Sequence, residues 1–132
     1  MLEKLYIEST TTTPRICFDT ENGKFVISGR SLPEDTEGFF APVINWLEDY
    51  SKAPGEETEI EINLDYYNST SLKKIADILF LLKEMQKNTG KKVSVIWAYE
   101  DGDDSSQENG EDLCYALDLP LELRVKTYDE DE

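Results

Sequence analysis

Residues 58–85 read TEIEINLDYYNSTSLKKIADILFLLKEM, and the reading of this stretch decides the fold. Its first ten residues alternate, with Ile60, Ile62, Leu64 and Tyr66 assigned to one face and Glu59, Glu61, Asn63 and Asp65 to the other. That period of two is a half-buried β-strand. From Leu72 the period changes, and Leu72, Ile75, Ile78, Leu79, Leu82 and Met85 fall on one stripe of a helix, broadened by Phe80 and Leu81. Between strand and helix stand Asn68, Ser69, Thr70 and Ser71. Ser, Thr and Asn are favoured at such a corner because their side-chain oxygens accept the orphan amide hydrogens of a first helical turn. One hydroxyl is explained by capping; three in a row are not. A capping box requires Glu or Gln three positions on, and the residues there are Leu72, Lys73 and Lys74. Lysines in a first turn oppose the helix dipole, and an anion at the same turn reverses that sign. A phosphate on one hydroxyl would meet free amides, the positive helix end and two ammonium groups. The corner therefore reads either as a plain cap or as a phosphorylatable switch.

Outward from this corner the same alternation of periods continues. Leu5-Tyr6-Ile7 is a short strand, followed by a polar run from Ser9 to Pro14; Ile16, Cys17 and Phe18 form a second strand. Asn22-Gly23 is a strong hairpin signal, and Phe25, Val26 and Ile27 form the third strand, expected to end at Gly29. Residues 30–35 read as a loop around Pro33. A helix is predicted over 36–52 on Phe40, Val43, Ile44, Leu47 and Tyr50. Because Pro42 is tolerable only in a first turn, its proper start is set near 39–41. Asn88-Thr89-Gly90 stops the second helix, and residues 93–99 form a strand apolar enough to be covered on both faces. Residues 100–112 read as an acidic loop, and a third, shorter helix follows to Asp118, with Leu113, Tyr115 and Leu117 as packing residues. Leu121, Leu123 and Val125 alternate as the last strand.

Strands alternating with helices imply right-handed crossovers and a mostly parallel sheet. The expected fold is a single α/β domain over residues 1–128, a mixed sheet with an N-terminal antiparallel hairpin and three helices, followed by an acidic tail at 129–132.

Composition restricts the function. The chain has 132 residues, a net charge of −16 and no histidine. The commonest general base and the usual triad partner are thus missing, and no Gly-rich phosphate loop or metal-ligand cluster replaces them, so neither catalysis nor a cofactor is expected. Asp101 and Asp103 suggest a calcium loop, but its sixth position is Ser106 and its twelfth Asp112, where Gly and Glu are required. So acidic a chain is repelled by nucleic acid and by anionic membranes and attracted to a basic protein surface. No window is apolar enough to span a membrane, and Met1-Leu2-Glu3-Lys4 begins no signal peptide. Cys17 and Cys114 are read as reduced thiols. A cytoplasmic protein, monomeric when free, is expected.

Several segments together carry a resemblance. They are Leu5-Tyr6-Ile7 with the run to Pro14, Ile27-Ser28-Gly29-Arg30-Ser31-Leu32-Pro33-Glu34, Val43-Ile44-Asn45-Trp46-Leu47 and Tyr66-Tyr67-Asn68-Ser69-Thr70-Ser71-Leu72-Lys73. Asp77-Ile78-Leu79, Val95-Ile96-Trp97-Ala98-Tyr99 with the acidic loop, and Leu119-Pro120-Leu121 complete them. With these the chain resembles the SiaC family of bacterial regulatory phosphoproteins, whose fold is like the STAS domain of anti-sigma-factor antagonists. The resemblance implies partner switching. A cognate Ser/Thr kinase phosphorylates the corner, a PP2C-type phosphatase reverses it, and the unphosphorylated form binds a target, a diguanylate cyclase in the best-known system. It carries the phosphosite onto Ser69, with Thr70 as the alternative, and the partner-binding surface onto Asn68, Ser69, Thr70, Ser71 and Lys73. The rival expectation is a plain acidic protein-interaction domain whose corner hydroxyls only cap the helix.

Overall fold

The computed structural model describes residues 2–126; the tail expected at 129–132 lies outside the described residues. In chain order the elements are β1 (Leu5–Ile7), β2 (Arg15–Asp19), β3 (Lys24–Ser31), α1 (Thr36–Tyr50), β4 (Glu57–Tyr67), α2 (Ser69–Thr89), β5 (Lys92–Glu100), α3 (Asp104–Leu117) and β6 (Leu121–Lys126). One six-stranded sheet holds them in the order β1-β2-β3-β4-β5-β6. β2 runs antiparallel to both of its neighbours, β1 and β3, and β3 through β6 are parallel. The expected α/β class, with its N-terminal hairpin and three helices, is what the chain forms.

Strand order equals chain order, so right-handed crossovers place α1, α2 and α3 on the same face of the sheet. Neighbouring helices pack on one another there. The core lies beneath them, where Phe18, Phe25, Ile27, Ile60, Ile62, Val95 and Trp97 of the sheet meet Phe40, Leu47, Ile75, Ile78 and Leu82 of the helices. The other sheet face carries no helix layer. Ile96 and Ala98 of β5 are nonetheless only 4% and 2% exposed. Arg124 of β6 reaches across them to Glu61 of β4 at 3.5 Å, so charged side chains of neighbouring strands, not a second helix layer, cover that face of β5.

Five local expectations need correction. β3 does not end at Gly29 but continues to Ser31, and the β3–β4 register slips there: Gly29 pairs with Leu64, and Arg30 with Tyr66. Gly29 adopts φ 102°, a conformation closed to most residues. Asp65 is the extra residue of the bulge, and a one-residue slip turns every later side chain over. Tyr66, expected inward, is therefore 59% exposed beside Arg30 on the open face, while Tyr67 turns in and meets the edge of Trp97. Lys126 Nζ donates to the Leu64 carbonyl and pairs with Asp65 at 2.9 Å, which holds the bulge.

α1 starts at Thr36 rather than at 39–41, because Asp35 caps it by accepting from the Gly38 amide at 3.0 Å. Pro42 thus lies in the second turn; it and Gly38, whose carbonyl loses its donor, are both exposed to water. α3 starts at Asp104, not after Asp112, with Asp103 as its cap. Gly110, read as a loop residue, is a buried helical position lying flat on the Trp97 indole, where a Cβ would come within 2.5 Å of the ring. This phase of α3 buries Cys114 and leaves Tyr115 90% exposed instead of packed. Both cysteines are free thiols.

Candidate functional site

The bulge delivers the chain to the end of β4 at Asn68, whose extended backbone (φ −95°, ψ 174°) starts α2. Its amide donates to the Ser31 carbonyl at 3.2 Å, and its carbonyl accepts the first helical bond from Leu72 at 3.0 Å. Its side-chain Oδ1 accepts from the Ser71 amide at 2.9 Å. The cap is therefore Asn68 itself, and none of the three hydroxyls that follow caps the helix. The helix also begins earlier than read, at Ser69, which moves Lys73 and Lys74 into its second turn and leaves the first turn without a charge.

The three hydroxyls have three different environments. Ser71 is fully buried. Its Oγ donates to the Ser31 carbonyl at 2.8 Å and accepts from Ser31 Oγ at 2.7 Å, a tie between β3 and α2 that lies out of reach of any partner surface. Thr70 is exposed, but its Oγ1 donates to Asn68 Oδ1 at 3.0 Å and lies 2.9 Å from Thr36 Oγ1 at the start of α1. Ser69 is exposed and its hydroxyl has no hydrogen-bond partner among the described residues. The backbone amides of Ser69 and Thr70 likewise have no acceptor among those residues, as expected for a first turn.

The Thr36–Thr70 contact reflects the topology. α1 and α2 each return from the end of one parallel strand to the start of the next, so they run parallel and bring their positive ends together. Between these ends lies a groove of about 600 Å³ whose lining combines Thr36, Thr70, Lys73 and Lys74 with the acids Glu34, Asp35, Glu37 and Asp77. Lys74 is held by Glu37 at 2.6 Å and Asp77 at 3.8 Å, and the hydrogen bond to Glu37 raises its pKa. Lys73 is exposed and has no ion partner among the described residues.

Of the residues singled out in the sequence, Asn68, Ser69, Thr70 and Lys73 gather at one surface, and Ser71 lies beneath it. Sequence reasoning missed Ser31, Thr36 and Glu37, which complete the corner from β3 and α1. The signal was present, since Ser31 stands in the Ser28-Gly29-Arg30-Ser31-Leu32-Pro33-Glu34 segment, but nothing local says what Ser31 bonds. The arrangement offers an accessible hydroxyl at a positive helix end and no base to activate it. Among the described residues no group of acids and cysteines is disposed to hold a metal ion. The would-be calcium loop is helical from Asp104 on. No helix among the described residues is long and apolar enough to cross a membrane.

Comparison with known proteins gives a consistent picture. The family model for SiaC family regulatory phosphoproteins matches residues 7–126. A protein of Pseudomonas aeruginosa strain UCBPP-PA14 is 30% identical over 124 residues, covering 94% of this chain and 98% of that protein. The crystal structure of apo-SiaC from Pseudomonas aeruginosa is 30% identical with a TM-score of 0.84, over 94% of this chain and 100% of that one. The crystal structure of the diguanylate cyclase SiaD in complex with its activator SiaC, also from Pseudomonas aeruginosa, contains a chain 30% identical with a TM-score of 0.84. There the match covers 92% of this chain and 99% of that one.

Proposed function

Since this chain belongs to the SiaC family of regulatory phosphoproteins, we propose that it is a non-enzymatic bacterial signalling protein whose partner binding is switched by phosphorylation at the start of α2. The phosphosite is Ser69, with Thr70 as the alternative. The partner surface consists of Asn68, Ser69, Thr70 and Lys73, held in shape from below by Ser71. The observation that carries this reading is the contrast within one turn: Ser69 is exposed and unbonded, and Ser71, two residues on, is sealed into the core.

The likeness to a SiaC that activates a diguanylate cyclase supports a diguanylate cyclase as the downstream target, and hence a role in c-di-GMP signalling. A cognate Ser/Thr kinase and a PP2C-type phosphatase complete the cycle, with the protein acting in the cytoplasm as a STAS-like module, monomeric between partners. The switch is electrostatic and local. Phosphorylation adds roughly −1.5 to −2 charges at pH 7. Within the protein that charge meets the unpaired amides of Ser69 and Thr70, two converging helix ends and the unengaged Lys73 ammonium, so the fold tolerates it. In a docked interface the same dianion must be desolvated, at a cost of several kcal/mol unless it is paired. A cost of about 3 kcal/mol weakens binding more than a hundredfold.

The rival, a plain acidic interaction domain, gave the corner hydroxyls capping as their whole purpose. With Asn68 as the cap, Ser69 is left without that role. The two readings separate on Ser69→Glu and Thr70→Glu, assayed for binding to the diguanylate cyclase from the same genome, with melting temperature as the control. Lost binding with an unchanged melt is the expected result for Ser69→Glu. Unchanged binding for both variants, together with an intact mass free of phosphate in protein from its host, refutes the switch.

A further inference from the structure

The groove at the corner does not stop there. Past Glu37, Lys74 and Asp77 it continues as a furrow of about 550 Å³ between α1 and α2, with Ala41, Ile44, Phe80 and Leu81 along its floor. Phe80 is 55% exposed, although it sits on an otherwise well-packed helix. Carboxylates border this floor at Glu37, Glu48, Asp77 and Glu84, and Lys74 is the one ammonium among the lining residues. Glu48 has no ion partner among the described residues, and Glu84 pairs only with Lys87 at 3.6 Å. The furrow follows about ten residues of each helix, or roughly 15 Å at 1.5 Å per residue, which is the length of a three-turn helix.

We infer that this furrow is the docking site for a basic amphipathic helix of the partner protein, with an apolar stripe laid on Phe80 and Ile44 and lysines or arginines over the acidic borders. An apolar floor between two helices is the geometry of helix-in-groove recognition. Charge selects the occupant: although Lys74 engages Glu37 and Asp77, Glu48 and Glu84 face no cation among the described residues lining the furrow, so a helix with acidic flanks is repelled and one with basic flanks is drawn to them and to a chain of net charge −16. The inference rests on the proposed switch in one respect. The furrow opens directly into the groove at Thr70 and Lys73, so a phosphate at the corner would stand at the end of the docked helix.

The test uses the unphosphorylated full chain and a 14-residue leucine–lysine peptide with its leucines at helical spacing. A scrambled peptide of the same composition is the control. At 0.15 M salt the amphipathic peptide should bind at least tenfold tighter than the scrambled one and shift amide resonances of residues 37–48 and 74–84. Phe80→Ser, and separately Glu48→Lys combined with Glu84→Lys, should each weaken it at least tenfold without lowering the melting temperature. Equal binding of both peptides, shifts centred outside α1 and α2, or full affinity in Phe80→Ser overturns the inference. Ser69→Glu separates it from the switch. If that variant binds both the peptide and the cyclase normally while the furrow variants bind neither, the furrow stands and the Ser69 switch falls. If cyclase binding responds to Ser69→Glu but not to the furrow variants, the switch stands and the furrow falls.

Discussion

Replacing Ser71 with alanine separates structure from signalling within a single turn of helix. The hydroxyl removed is fully buried, donates to the Ser31 carbonyl at 2.8 Å and accepts from Ser31 Oγ at 2.7 Å. The carbonyl keeps its bond from the Asn68 amide at 3.2 Å, so it is not orphaned. The Ser31 hydroxyl is the group left buried without an acceptor, and a buried polar group in that state costs about 1–3 kcal/mol. We set the destabilisation at about 2 kcal/mol, which for a domain of this size lowers the melting temperature by roughly 6–8 °C. Ser69→Ala removes an exposed hydroxyl with no partner and should change stability by less than about 0.5 kcal/mol. The double variant Ser31→Ala/Ser71→Ala removes both partners, and should recover about 1 kcal/mol relative to the sum of the singles. Thermal and urea unfolding followed by far-UV circular dichroism measures all five proteins, the parent, the double variant and the singles Ser31→Ala, Ser69→Ala and Ser71→Ala. If Ser71→Ala melts like the parent, or Ser69→Ala costs as much as Ser71→Ala, the division of the corner into one structural and one free hydroxyl is wrong.

Asn68→Ala removes the side-chain cap of α2 and should cost about 1 kcal/mol in the same urea titration, where Asn68→Asp should cost much less. Gly110→Ala should lower stability by about 1–2 kcal/mol despite the better helix former, because the new Cβ meets the Trp97 ring at 2.5 Å and overpacking outweighs propensity; near-UV circular dichroism should change with it. Burial pushes the Cys114 thiol from the 9.0 of a free thiol up to about 11, so its contribution is complete below pH 9 and is lost as pH rises towards 11. The urea midpoint should therefore fall across that window in the parent and fall less in Cys114→Ala, and native Cys114 should resist alkylation at pH 8 that the unfolded chain undergoes.

The two periods in residues 58–85, and their repetition around the hairpin and the strand at 93–99, dictated the α/β class, the element order and most of the core, since burial of one face writes itself directly into spacing. Element starts were less legible. Asp35, Asn68 and Asp103 each begin a helix by accepting an amide from three residues on. At two of these starts a competing signal, Pro42 in α1 and the glycine-bearing acidic run before Gly110, argued for a later beginning. Capping and exposure resolved the first conflict, and the approach of Gly110 to Trp97 resolved the second.

What the sequence determined by itself was that a polar corner of Asn, Ser, Thr and Ser joins a strand to a helix in a very acidic chain. Which hydroxyl is free was decided by the tertiary structure. Ser69, Thr70 and Ser71 are chemically near-equivalent and adjacent, and their fates depend on Thr36, 34 residues from Thr70, and on Ser31, 40 residues from Ser71. The same holds for Tyr66 and Tyr67, whose faces were set by a bulge that exists only because β3 and β4 pair out of register at Gly29. Periodicity records which face of an element is buried. Hydrogen-bond partners and register are relations between distant segments, and they take definite values only when the sheet has formed.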